Sequence, residues 1–218
     1  EAGRSRGMGH FIRTRTIYES FKENGAHVTF FLDSDLDFNY KFQDIIPFSW
    51  NDFEIDNFYD VIIIDSYIAS KKIYNIASLK SKLIVSLDDY CRIDYPKGMI
   101  VNFSPDSNKL FYNEKKEGYN YLLGLDYVPI RKEFKDIRIE KKNHIFIMIG
   151  GSDVNNLTEI VLNSIKNEQI PKVVVVNNKK NLKQIEKYTN TKILYKPNDK
   201  DLISAMSSSS LAISTASM

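Results

Sequence analysis

The chain has 218 residues, of which 43% are hydrophobic and 27% charged, so it is expected to be globular with a substantial core. Its 30 Lys and Arg nearly balance 28 Asp and Glu, and the resulting net charge of +2 argues against a dedicated nucleic-acid binder. The single cysteine, Cys91, excludes an intramolecular disulfide framework and a cysteine-rich zinc site, and it is typical of a cytoplasmic protein.

The first element is a glycine turn, Gly7-Met8-Gly9-His10, followed by a helix that we predict from Gly9 to about Asn24. Apolar residues recur in it at nearly helical spacing, and Asn24-Gly25 provides a stop. Glycines let a backbone turn tightly and lie close to a ligand. His10 falls at the start of the helix, where exposed N–H groups favour anions and a neutral imidazole.

Predicted strands follow, and polar residues come directly after most of them. The strands are expected at 27–32, 60–65, 83–87 and 99–102, with a helix at 68–79. Because the carboxyl ends of parallel strands form one edge of a sheet, Asp65, Asp88, Asp89 and Asn102 are expected to face one cleft.

A second series of strands and helices begins after a charged segment, 132–143, which we interpret as a link between domains. Strands are predicted at 145–149, 172–176, 192–194 and 211–213, and helices at 155–165, 181–188 and 199–206. The sequence therefore predicts an α/β protein of two Rossmann-like domains facing across a cleft, at 1–135 and 143–218. Both ends look truncated, and no apolar run is long enough to span a membrane.

A histidine in the first turn suits proton transfer. Imidazole is partly neutral near pH 7, and a positioned general base is typically worth ~10² to 10⁴ in rate. Asp65 or Asp88 is predicted to orient His10. Two other interpretations remain open, a structural turn with a surface histidine and a dinucleotide-binding turn, although the third glycine of that fingerprint is absent.

The second glycine turn, Gly150-Gly151-Ser152-Asp153, lies between a strand and a helix and favours a diphosphate. It is equally typical of an ordinary turn with a helix cap. Ser214 to Ser217 would add hydroxyl groups from a later strand end. A magnesium site is not favoured, because the adjacent Asp88 and Asp89 point opposite ways, so we expect neither a metal nor a cofactor.

Several motifs together resemble one enzyme family. They are the two glycine turns with Arg13, Ile64-Asp65-Ser66-Tyr67, Ser86-Leu87-Asp88-Asp89, the segment GLDYVPIRKEF from Gly124 to Phe134, and Ser214 to Ser217. In this order they are similar to the UDP-2,4-diacetamido-2,4,6-trideoxy-β-L-altropyranose hydrolases of pseudaminic acid biosynthesis and to related spore-coat polysaccharide biosynthesis proteins.

The resemblance implies a GT-B-like pair of domains and hydrolysis of a UDP-sugar by water, with His10 as the base. It places UDP on the carboxy-terminal half. The predicted catalytic residues are His10, Asp65 and Asp88, and the predicted substrate-binding residues are Gly7, Gly9, Arg13, Tyr67, Gly150, Gly151, Ser152, Asp153, Ser214 and Ser217.

Two alternative functions fit the same features. One is a GT-B glycosyltransferase akin to the murein N-acetylglucosaminyl transferase, which shares the glycine turn and would need an acceptor. The other is a non-catalytic module that binds a nucleotide sugar. In all three cases the expected partner is a UDP-sugar.

Overall fold

The computed structural model describes residues 1–3, 6–35, 44–140, 142–150, 153 and 155–215. The chain divides into two compact units, Glu1–Ile130 and Arg131–Ser217, and each is considered by itself. The predicted domain bounds, 1–135 and 143–218, stay a prediction. None of the helices in the described ranges has the length and apolar character needed to cross a bilayer.

Unit 1, Glu1–Ile130, is built on parallel strands. A four-stranded sheet has its strands in chain order, and two further strands pair with each other, also in parallel. The strands are β1 (Phe30–Leu32), β2 (Ile45–Pro47), β3 (Tyr59–Asp65), β4 (Ser81–Leu87), β5 (Met99–Asn102) and β6 (Asn120–Leu123), and the helices are α1 (Gly9–Glu23), α2 (Lys71–Leu79) and α3 (Ser107–Leu110).

The first residues of the chain stand between the two sets of strands. Ala2 pairs in parallel with Ser34, just beyond β1, while the Glu1 carboxylate accepts hydrogen bonds from Ser66 and Tyr67, just beyond β3. From this segment the chain runs through α1 to β1 and β2. It then returns as β3 on the opposite side of the segment. In open α/β sheets such a reversal is where ligands bind.

Three apolar clusters hold this unit together, of which the smallest is Val85, Leu87 and Val101 with Ile17 of α1 packed against it. Phe11 and Tyr18 of α1 pack against Phe30, Leu32 and Ile45. A second cluster joins α2 to the four-stranded sheet and consists of Ile64, Ala69, Tyr74, Ala77, Ile84, Tyr95, Ile100 and Tyr112. Burying each large apolar side chain is worth roughly 1.5–3 kcal/mol, so these clusters anchor α1 and α2 to the strands.

Unit 2, Arg131–Ser217, contains a second parallel sheet. Its strands are β7 (Ile145–Met148), β8 (Lys172–Val176), β9 (Thr191–Tyr195) and β10 (Leu211–Ser214), and its helices are α4 (Leu157–Ser164), α5 (Lys179–Ile185) and α6 (Asp199–Ser207). The strand order β10-β7-β8-β9 means that the chain crosses back after β9 to the far side of β7. The ends of β7 and β10 therefore form the reversal point of this sheet.

The predicted fold class is confirmed: both units are α/β with parallel sheets. The ranges 99–102 and 172–176 are strands with the predicted bounds. The strand predicted at 27–32 is shorter and begins at Phe30, and β2 and β6 were not predicted. Helix α2 begins at Lys71 instead of Ile68, because the Ser66 hydroxyl accepts from the amides of Ile68 and Ala69 and holds them in a turn.

Candidate active site

His10 is the second residue of α1, and its ring is buried against the end of β3. Its Nδ1 atom lies 2.6 Å from Oδ1 of Asp65, the last residue of that strand. Because the carboxylate can only accept, Nδ1–H donates, and the lone pair of the neutral ring is left on Nε2. An imidazole held in this way presents Nε2 as a proton acceptor.

Arg13 lies one helical turn after His10 and binds two carboxylates at once. It donates to Asp65 from Nε at 2.5 Å and from a terminal nitrogen at 2.5 Å, and to Asp89 at 2.7 and 3.0 Å. The fork geometry of a guanidinium suits such pairing. These ion pairs make Arg13 a positioning group for both carboxylates, and its predicted contact with substrate stays a prediction.

The charges around Asp65 keep it ionised. Burial by itself would raise the pKa of this carboxyl group, but hydrogen bonds from Arg13 and His10 outweigh burial and lower the pKa below its ordinary value. Asp65 therefore remains an anion at neutral pH and can orient His10 throughout that range.

Tyr67 connects the base to Asp89. Its ring meets the His10 ring edge-on, with centroids 4.3 Å apart and an interplanar angle of 86°. Its hydroxyl donates to Asp89 Oδ2 at 2.6 Å. Burial, followed by this bond to an anion, raises the pKa of Tyr67, so the phenol stays a neutral donor. Tyr67 and Asp89 thus lie beside His10, and the predicted contact of Tyr67 with substrate stays a prediction.

Asp88 does not belong to this group, which corrects the prediction that it is catalytic with His10. Its buried carboxylate instead accepts from the amides of Cys91 and Arg92 and from the side chains of Tyr95, Asn102 and Tyr112. Successive residues after a strand point to opposite sides. The sequence argument was therefore right that only one of the two aspartates reaches the site, and wrong in choosing Asp88 over Asp89. Asn102 lies with Asp88 and not with His10.

The two glycines of the first turn differ in what the backbone requires of them. Gly7 has a φ of +70°, which favours glycine, whereas Gly9 is the first residue of α1. A Cβ atom built on either residue would meet nothing within 4 Å, so the space beside both is open. Their predicted contact with substrate stays a prediction.

Glu1 is a site residue that the sequence analysis missed. Its side chain is 0% exposed, and its Oε1 atom lies 3.9 Å from Nε2 of His10. The carboxylate accepts from the Ser66 hydroxyl at 2.7 Å and from the Tyr67 amide at 2.9 Å. Nothing local in the sequence around Glu1 indicates these contacts, because its partners are more than 60 positions away.

Unit 2 has a second arrangement, at the reversal point of its sheet. Gly150 follows β7 with a φ of +54°, and a Cβ there would come within 3.9 Å of the Thr215 hydroxyl, which follows β10. Ser214 ends β10 and is exposed. Gly151, Ser152 and Ser217 lie outside the described residues.

Asp153 acts as a helix cap. Its carboxylate accepts from the amides of Leu157 and Thr158 at 2.7 and 3.1 Å and from the Asn181 side chain at 3.0 Å. The first amides of α4 are therefore already occupied by an anion. These contacts are those of an ordinary capped turn, and the predicted role of Asp153 in binding substrate stays a prediction.

No family model matches this sequence, and no curated protein matches it. Among solved structures, a crystal structure of MurG from Acinetobacter baumannii is similar over 94% of this chain and 68% of that chain, with a TM-score of 0.47 and 16% sequence identity. We take nothing about function from this similarity, and the fold class rests on the two sheets themselves.

The polar groups of unit 1 gather around His10. Within the described ranges, no group of three or more His, Cys, Asp and Glu side chains is placed to hold a metal ion. Arg13 holds Asp65 and Asp89 in ion pairs, while Nε2 of His10 faces the Glu1 carboxylate at 3.9 Å. Asp65 was predicted to orient His10 and Asp89 was expected to face the same cleft as Asp65, while Glu1 was not predicted.

Proposed function

We propose that this protein acts on a UDP-activated sugar and that His10 takes a proton from the nucleophile that attacks the anomeric carbon. The observation that carries the proposal is the 2.6 Å contact between Nδ1 of His10 and Asp65, which fixes the ring so that Nε2 accepts. As the nucleophile loses its proton to Nε2, its oxygen bonds to the anomeric carbon. The bond from that carbon to the diphosphate breaks, and UDP leaves with the electron pair.

Water is the nucleophile in the hydrolase that the sequence motifs resemble. The substrate would then be UDP-2,4-diacetamido-2,4,6-trideoxy-β-L-altropyranose or a related acetamido sugar, and the products would be UDP and the free sugar. Such a product would serve the biosynthesis of pseudaminic-type acids or surface polysaccharides.

A sugar hydroxyl is the nucleophile in the second candidate, a glycosyltransferase. The same base serves both reactions, and one feature favours the transferase. Tyr67 and Tyr90 have rings 5.7 Å apart, and the two residues are 41% and 46% exposed. Aromatic rings exposed beside the base provide a surface on which an acceptor sugar can pack.

UDP is proposed to bind to unit 2 at the reversal point of its sheet. Gly150, Ser214 and Thr215 meet there, and the positive φ of Gly150 is typical of a backbone that approaches a phosphate closely. Gly151, Ser152 and Ser217 are proposed as further contacts on the basis of the sequence motif alone.

One assay separates the candidates. The full chain is incubated with the UDP-diacetamido sugar, with and without acceptor sugars, and UDP and free sugar are measured. Release of both in water alone indicates a hydrolase, whereas release that depends on an acceptor indicates a transferase. Binding of UDP without turnover under any condition would contradict the enzyme proposal and favour a binding module.

The role of the base is tested in the same assay. His10→Asn should lower turnover by about 10² to 10⁴ while UDP binding, measured by calorimetry, stays as in the wild type. His27→Asn is the matched control, because His27 is exposed. Full turnover in the His10 variant would rule out the proposed base.

A further inference from the structure

The buried carboxylate of Glu1 has no part in the mechanism described so far. It is held on one side by the Ser66 hydroxyl and the Tyr67 amide, and its side chain has no exposed surface. Burying a carboxylate is costly unless hydrogen bonds and a positive charge compensate for it. Its two hydrogen bonds supply part of that compensation.

The group that faces Glu1 from α1 is the reactive nitrogen of His10. Oε1 of Glu1 lies 3.9 Å from Nε2, which is too long for a hydrogen bond but close enough for strong attraction once Nε2 carries a proton. The other groups around the ring are Asp65 at Nδ1, a terminal nitrogen of Arg13 at 3.1 Å from Nδ1, and the edge of Tyr67. Thus a carboxylate lies at each nitrogen of the imidazole.

The two carboxylates are not equivalent. Arg13 forms ion pairs with Asp65, so much of that negative charge is already neutralised. The contacts of Glu1 with Ser66 and the Tyr67 amide are hydrogen bonds from neutral donors. The amino group of Glu1 itself also acts on this carboxylate, but burial lowers the pKa of that amino group. Among the described side chains, His10 alone is placed to form an ion pair with Glu1.

We propose that Glu1 is a positioning residue that stabilises the imidazolium formed when Nε2 of His10 accepts the proton of the nucleophile. The inference rests on the proposed role of His10 as the base. The O–H bond of the nucleophile breaks, the N–H bond forms on Nε2, and the new positive charge lies between Glu1 and Asp65. Glu1 itself neither gains nor loses a proton and does not contact the substrate.

The test measures the protonation of His10 directly and needs no substrate. The chain has three histidines, so long-range ¹H–¹⁵N spectra of the imidazole rings can be assigned by removing His27 or His144 in turn. In Glu1→Gln the ratio of protonated to neutral His10 at a fixed pH should fall at least about fivefold, the effect of a unit charge at 4 Å in bulk water. Glu54→Gln, at an exposed glutamate, should leave the ratio unchanged.

A variant that disturbs the surroundings of Glu1 but keeps its charge separates a structural role from an electrostatic one. Ser66→Ala removes one anchor of the Glu1 carboxylate but keeps its charge, so the protonation ratio of His10 should stay close to that of the wild type. If Glu1→Gln does not fold, Glu1→Asp is used, because its carboxylate is one methylene shorter and lies farther from His10. It should give a protonation ratio between those of the wild type and a neutral variant. A ratio that is unchanged in the folded Glu1 variant would overturn the inference.

The activity assay then separates the two proposals. If the enzyme turns over, the acidic limb of the kcat/KM profile should move to lower pH in Glu1→Gln, because His10 stays neutral to lower pH. A chain without turnover but with the predicted change in His10 protonation would refute the proposed function and leave the interaction of Glu1 with His10 established.

Discussion

Asp65 Oδ1 lies 2.6 Å from His10 Nδ1, although 55 positions separate the two residues in the chain. The same carboxylate accepts from Arg13, which lies on the same face of α1 as His10. One aspartate at the end of β3 therefore orients the ring and fixes the helix that carries it.

Replacing Asp65 by Asn should reduce kcat/KM by about 10² to 10⁴. The neutral amide can donate as well as accept, so it no longer fixes the proton of His10 on Nδ1 as the carboxylate does. The variant also leaves Arg13 with one carboxylate fewer, so the free energy of unfolding measured in urea should fall by about 3 kcal/mol or more. Asp60→Asn is the control, since this residue of the same strand is exposed and forms a surface ion pair with Lys82. An Asp65 variant with wild-type kcat/KM would contradict this role.

Acid should destabilise the protein partly through Asp65. Because its pKa is lowered in the folded state, its contribution is fully present above the unfolded value near 3.9 and is lost as the pH falls through the lower folded value. The difference in unfolding free energy between the wild type and Asp65→Asn should therefore be constant from pH 7 to about pH 5 and shrink below pH 4. Urea titrations across this range measure it, and a difference that grew in acid would have the wrong sign.

Asp88 and Asp89 should respond differently to the same substitution. Asp88→Asn disturbs five donors around a buried anion and should cost about 2–4 kcal/mol of unfolding free energy. Asp89→Asn weakens the bonds from Arg13 and Tyr67 and should mainly lower kcat. Urea unfolding and steady-state kinetics on both variants test this division. A catalytic defect in a fully stable Asp88 variant would restore that residue to the site.

Much of the fold was predictable because periodicity is local. The β-branched runs of β3 and β8 specify their strands within a few residues. The apolar spacing predicted α1 but not its buried face, since Ile12 and Phe21 are exposed and Phe11 and Tyr18 are buried. The rule that parallel strands gather polar ends at one edge also placed Asp65 near the base correctly. It did not say which side each of two adjacent residues faces, and so the choice between Asp88 and Asp89 was wrong.

The remaining site residues depend on contacts that no local pattern records. Glu1 meets Ser66 and Tyr67 because the chain reverses between the leading segment and β3, and Arg13 meets Asp89 across 76 positions. Similarly, the cap on α4 depends on the left-handed backbone of Asp153, at φ +43°, which returns its carboxylate to the helix. A sequence motif shows that a turn is present but not which of its donors remain available.

The capped turn of unit 2 leads to a last prediction. Asp153→Ala removes the acceptor for the amides of Leu157 and Thr158 and should cost about 1 kcal/mol of stability. If Asp153 contributed to nucleotide binding, the affinity for UDP would be lower in this variant. We expect affinity that is unchanged or higher, since the variant removes a negative charge and frees two N–H donors for a phosphate.

Calorimetry with UDP on the full chain decides between these outcomes, with Asp201→Ala at the exposed start of α6 as the matched control. A tenfold loss of UDP affinity in Asp153→Ala alone would return this residue to the nucleotide site.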